Sequence, residues 1–333
     1  MPWTCRVAWL TGMSLALSLA AAGLPADETD VLVRCGDAAV RRFDLERVVE
    51  RLGLAGAADD PQRQRAEAAI LEQLVDERIL RAELERLGIL ATGPEIEASV
   101  TRLKEQVSAR GLVFENFLAA TGRTPRDLDA QVALEIALDK FVRPQLTAAA
   151  LAETFDRNRR ELDGTLLRVS HILLRPEAGG PDDATKGLLD RAAVIRQQIV
   201  QGRLSFADAA RFHSAGPSRR QGGDLGWIGR EGPMLEGFAS RAYTLSKGVV
   251  SAPFASPQGV HIVTVTAVQP GRLEIDAVRP KLEKILAQKL VRGLVAAGRQ
   301  RVPVRFSPGV PHFDPSTADR PIDERPVIVA AGG

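Results

Sequence analysis

Two short runs decide how this chain is read: RVSHILLR at 168–175 and GVHIVTV at 259–265. Each is apolar and rich in β-branched residues, the composition of a buried strand, and each carries a histidine near its start. Strand side chains alternate with period two, so Val169, His171 and Leu173 share one face and Ser170, Ile172 and Leu174 the other. In the second run His261, Val263 and Val265 share a face. Burying an imidazole costs free energy unless its nitrogens find partners. Taken singly, each histidine reads as a separately satisfied core or edge residue. Taken together, two His-Ile strands suggest a pair on adjacent antiparallel strands, with the rings within hydrogen-bond reach at roughly 3 to 4 Å.

The N-terminus sets the expected compartment. Arg6 is followed by an apolar Leu/Ala-rich stretch from Val7 to Ala22, with small residues at 20–22 and Pro25, Asp27 and Glu28 beyond. That is the layout of a secretory signal peptide at 1–22, and it is short for a membrane span. An uncleaved N-terminal anchor is the alternative, and a membrane-proximal position stays compatible with it. No cysteine follows the apolar stretch where a lipoprotein signal needs one. Of the two cysteines, Cys5 leaves with the signal, so Cys35 has no partner for an internal disulfide. It reads as a small buried residue at a strand end. With four histidines and that single cysteine, no spacing suggests a metal site, and no cofactor is expected. The net charge of +2 comes from interleaved acids and bases, which argues against a nucleic-acid partner.

Three regions follow. Residues 43–165 are helical in pattern, with Ile70, Leu74, Ile79, Leu80, Leu84 and Leu87 recurring until Gly88. Thr92-x-x-Glu95 and Thr124-Pro125-Arg-Asp127 open further helices. Long amphipathic helices with short linkers suggest an open module whose surplus apolar surface serves as a binding cradle. Residues 166–270 switch to short strands, helices and glycine-rich turns. Ser205-x-x-Asp208 opens one of those helices, and Val249 to Phe254 reads as a strand. Residues 274–300 form another amphipathic helix, with Leu282, Ile285, Leu286, Leu290 and Leu294 on its apolar side. It is expected to pack back on the N-terminal helices. From Ser307 the chain is proline-rich and aperiodic, which predicts a flexible tail at 307–333 in which His312 has no role.

The middle region resembles the parvulin (PpiC-type) family of peptidyl-prolyl isomerases. The resemblance rests on five motifs in order: VSHILL (169–174), FADAARFHS (206–214), GGDLGW (222–227), PMLEGFASRAYTLSKGVVSAPF (233–254) and GVHIV (259–263). The flanking helices resemble those of exported SurA- and PrsA-type chaperones, with LAETFDRNRREL (151–162) the best local match. The resemblance implies an α+β architecture. A helical chaperone-like module, 30–164 with a returning C-terminal helix in 271–306, carries an inserted parvulin domain at 165–270. That domain is a four-stranded antiparallel sheet flanked by helices. It implies that His171 and His261 form a hydrogen-bonded pair beneath the substrate proline, and that Leu225, Met234 and Phe238 grip the proline ring. Ser256 stands where the family often has threonine. Read alone, those three apolar residues would be core.

One position departs from the pattern. Two residues beyond Ser214 the family usually has Asp or Cys facing the substrate carbonyl; here it is Gly216. The carbonyl-tuning group is missing, so restoring it with Gly216→Asp is expected to raise activity. The loop after the first strand carries Asp182 and Asp183 instead of the basic cluster of phosphate-directed parvulins, so phosphoserine-proline specificity is not expected. The resemblance thus implies an isomerase and folding chaperone of the periplasm or cell envelope. Its partners would be unfolded exported polypeptides containing proline, with no nucleic acid and no small-molecule cofactor. The alternative is a chaperone whose parvulin domain is a weak or inactive binding platform, for which Gly216 speaks.

Overall fold

A computed structural model describes residues 30–54, 57, 59–176, 184–232, 236–317 and 325–329. The signal-peptide reading of 1–22 therefore lies outside the described residues. The chain divides into two compact units, one of 1–150 with 283–333 and one of 151–282.

The first unit is built on the long helix Pro61–Arg86. Asp60 starts it by accepting the Gln62 N–H at 3.0 Å, and proline occupies the first turn, where no N–H is needed. Its apolar positions Ile70, Leu71, Leu74, Val75 and Ile79 are buried against a three-stranded sheet. In that sheet Val31–Cys35 is the centre, paired with Ala38–Arg41 on one side and Val304–Phe306 on the other. Cys35 ends the central strand and is buried. One turn further along, Leu80 and Leu84 share a second cluster with Ala137, Leu138 and Val142 of helix Pro125–Val142 and with Ala287 and Leu294 of the C-terminal helix. Glu83 is buried beside them and accepts from Arg86 at 3.0 Å and Arg301 at 2.5 Å.

Two local expectations need correction. The segment after 307 is not a loose tail where it is described. Pro311–Phe313 pairs antiparallel with Val327–Val329. Val310, His312 and Phe313 are buried, the His312 ring stacks on Phe306 at 4.1 Å, and Phe313 lies under the guanidiniums of Arg65 and Arg325. The three side chains compensate for the missing periodicity by packing singly rather than as a stripe. The other correction concerns Val249 to Phe254, read as a strand: regular pairing begins only at Phe254–Ser256, and Val250 makes an isolated bridge to Thr264.

The second unit holds a four-stranded antiparallel sheet in the order Asp224–Ile228, Leu166–Leu174, Gly259–Gln269, Phe254–Ser256. Its two faces have different covers. Ile172, Leu174, Val260 and Ile262 pack against Ala192 and Ile195 of helix Ala184–Val200 and Ala209 and Ala210 of helix Phe206–His213. Leu167, Val169, Val263 and Val265 pack against Phe238, Ala242 and Tyr243 of helix Glu236–Thr244. The unit extends beyond 165–270 at both ends. The Asp163 side chain accepts from the Thr165 N–H and hydroxyl at 2.9 and 2.6 Å, and Thr165 Oγ1 accepts the Gly271 N–H at 3.0 Å. The two chain segments that enter and leave the sheet are thereby fastened to each other.

Candidate functional site

The face of the sheet under helix Glu236–Thr244 carries both histidines. Cross-strand register pairs His171 with Val263 and Leu173 with His261, so the imidazoles lie on the same face one pair apart along the diagonal. Their ring centroids are 5.8 Å apart with planes tilted by 32°. They face each other, but the expected hydrogen bond between them is absent. Diagonal neighbours on adjacent strands stand wider apart than directly opposed ones, which accounts for the gap.

Aromatic rings enclose the pair. Phe238, almost fully buried, meets both imidazoles edge-on, at 5.9 Å from His171 and 5.5 Å from His261. Phe254, directly opposite His261 on the edge strand, stacks on that ring at 5.4 Å with a 19° tilt. Arg241 lies over the Phe254 ring at 4.8 Å. Leu225 is half-buried at the margin of the same cluster. Met234 lies outside the described residues. Sequence pattern does not single out Phe254 or Arg241. The signal for Phe254 is its place in the SAPF run, but its pairing with His261 depends on a register that the local pattern does not contain.

The polar atoms of the site are unevenly served. Ser256 Oγ accepts the Gln258 N–H at 3.0 Å and lies 2.7 Å from His261 Nε2. The hydroxyl can donate to Nε2 or accept from it according to the tautomer of His261. His261 Nδ1 and both nitrogens of His171 are buried and have no hydrogen-bond partner among the described residues. Burial, then the neighbouring His171 and Arg175, push the His261 pKa down to about 4; burial alone lowers that of His171. Both rings are therefore neutral near pH 7.

The segment 214–216 borders the His171 ring. Ser214 Oγ accepts the N–H of Leu173 and of Gly216, both at 3.1 Å, and the Ala215 N–H donates to the Leu173 carbonyl at 2.7 Å. Ser214 is thus spent on backbone, and Ser218 is buried with its hydroxyl lacking a partner among the described residues. The GGD turn explains its second glycine. Gly223 has φ +84°, and its carbonyl accepts the His171 N–H at 2.9 Å. A Cβ on Gly223 would lie 2.4 Å from the His171 carbonyl oxygen, so no side chain fits there.

Chemically the site is an apolar, aromatic-walled surface with neutral, weakly served imidazoles at its floor. It suits a reaction that needs a grip and a desolvated polar surround.

The chain has relatives among known proteins. Residues 171–267 match the family described as Rotamase: PPIC-type PPIASE domain. Chaperone SurA of Photobacterium profundum is 26% identical over 284 residues, 80% of this chain and 63% of its own length. Foldase protein PrsA of Geobacillus kaustophilus is 28% identical over 207 residues, 61% of this chain and 63% of its own length. A PrsA crystal structure from Bacillus anthracis aligns over 70% of this chain and 96% of its own, at 20% identity and a TM-score of 0.38. The chain thus spans less than two thirds of the length of these two curated relatives. Residues 171–267, the span that holds the two histidines and their aromatic enclosure, form a rotamase domain of the PPIC type in a chain homologous to the SurA chaperones and PrsA foldases.

Proposed function

We propose that this protein is an exported peptidyl-prolyl cis-trans isomerase and folding chaperone, acting on Xaa-Pro bonds of unfolded secreted or envelope polypeptides. The observation that carries the reading is the buried histidine pair enclosed by Phe238 and Phe254, with Ser256 on His261 Nε2, inside the span that matches the isomerase family.

Rotation about the prolyl amide has a barrier of roughly 18–20 kcal/mol and breaks no bond. Catalysis requires only that the twisted amide be bound better than the planar one. In this reading Leu225, Phe238 and Met234 hold the pyrrolidine ring in apolar contact. His171, His261 and Ser256 supply a desolvated polar floor that favours the twisted amide, whose carbonyl has lost conjugation. Neutral rings suit this task, because a charged imidazolium in an apolar wall would itself need a counter-ion. In the other unit, Phe43, Leu90, Leu112 and Val113 are more than half exposed. Such surface supports a role in holding unfolded chain. No helix among the described residues is long and apolar enough to cross a membrane.

A protease-coupled prolyl-peptide assay on the whole chain tests the proposal. Isomerisation above background, reduced at least tenfold by His261→Ala, is the expected result. No catalysis by the unaltered chain, with suppression of client aggregation intact, would establish the binding-platform reading that Gly216 favours.

A further inference from the structure

Gly216 has φ −77° and ψ 157°, extended backbone open to any residue, so its conformation does not require a glycine. Its surroundings do. A Cβ at 216 would lie 2.9 Å from His171 Nε2, 3.4 Å from His171 Cε1 and 3.3 Å from Ser214 Oγ. The first of these is shorter than side-chain carbons sustain. Neither partner has an easy retreat. The 216 backbone is held by the Ser214 hydroxyl, which also binds the strand at Leu173. The His171 backbone is held by the Gly223 carbonyl, and its ring is backed by Phe238 and His261. Interiors packed at this density do not absorb an extra methyl group for nothing.

We propose that Gly216 is a positioning residue: its bare backbone is what allows the His171 imidazole to stand in the site. A side chain at 216, a carboxylate included, displaces that ring rather than completing the site. The kinetic part of this inference rests on the isomerase reading above; the steric part does not. It reverses the expectation that Gly216→Asp improves activity. An aspartate there would first collide with the ring. Any pose it then reached beside Nε2 would favour the imidazolium over the neutral ring.

A double-mutant cycle on the whole chain separates the possibilities. Gly216→Ala should lower the melting temperature by about 3 °C or more in the parent chain and by less than about 1 °C in a His171→Ala background, where the volume is vacant. Equal losses in both backgrounds would overturn the proposal. If Gly216→Ala does not fold, refolding of the double variant supports the proposal, and its failure to fold overturns it. The His171 imidazole resonances should move in Gly216→Ala while those of His312 stay, a readout that general loosening would not give. In the prolyl-peptide assay Gly216→Ala should lose at least tenfold in kcat/KM and Gly216→Asp should do no better. A gain for Gly216→Asp would overturn the proposal. A parent chain without isomerase activity defeats the functional reading but leaves the thermal cycle to decide the glycine.

Discussion

Each unit buries a polar centre in its apolar core, and the two are served very differently. In the first unit Glu83, 2% exposed, accepts hydrogen bonds from Arg86 and Arg301. In the second, His171 and His261, 6% and 2% exposed, share a single hydrogen-bond partner, the Ser256 hydroxyl, and leave three ring nitrogens without any among the described residues. Buried polar groups are ordinarily paired, and an unpaired one calls for an explanation. The Glu83 cluster is explained by the fold, since it ties helix Pro61–Arg86 to the end of the C-terminal helix. For the histidines, the isomerase site proposed above supplies the explanation.

The largest effect should come from the wall of the histidine site. Phe238→Ala removes a buried ring that touches both imidazoles and Phe254, and should cost about 3–5 kcal/mol of stability, measured by urea unfolding. A cost below about 1 kcal/mol would mean the enclosure is loose and the contrast with the Glu83 core is overdrawn.

Acid should find the histidine site next. His261 titrates near 6.5 in the unfolded chain and near 4 in the folded one. Above pH 6.5 the ring is neutral in both states and stability is full. As pH falls from 6.5 to 4, the unfolded chain takes up a proton that the folded chain refuses, so stability drops, by about 3 kcal/mol in all. The lowered pKa of His171 acts in the same direction. His261→Gln should flatten most of this slope in unfolding titrations, and an unchanged slope would place the acid sensitivity elsewhere.

Apolar replacement tests the comparison itself. Glu83→Leu strips two guanidiniums of their acceptor; both heads are about half exposed and reach water, so the cost should be about 1–2 kcal/mol. His171→Leu deletes nitrogens that had no partner and should change stability by less than about 1 kcal/mol while abolishing isomerisation. Loss of stability in His171→Leu equal to that in Glu83→Leu would show that the imidazole is structural after all. A similarly small effect is expected for Ser256→Ala, about 1 kcal/mol for a single hydrogen bond, with a visible change in the His261 ring resonances.

Much of this was legible in the residues. Helix starts carry their own chemistry: the Thr92 N–H donates to Glu95 at 2.7 Å, and Thr124 and Asp127 exchange bonds at 2.9 and 3.1 Å, as their spacing predicts. Gly88 ends the long helix in a left-handed turn, as the pattern at 61–87 indicated. Period-two alternation grouped His171 with Val169 and Leu173 on one strand face, and His261 with Val263 and Val265 on another. These features depend on neighbours within a few positions, and local sequence determines them because local geometry does. The tertiary structure alone decided the rest. Register between strands ninety residues apart set the imidazoles on a diagonal without a mutual bond. It set Phe254 against His261, and it brought 304–306 back beside 31–35 to complete a sheet that helical periodicity could not announce. It also put the Gly216 backbone against His171 Nε2, turning an apparent vacancy into a space already filled. Periodicity specifies which face a side chain takes; what it meets there is fixed only when distant segments close on one another.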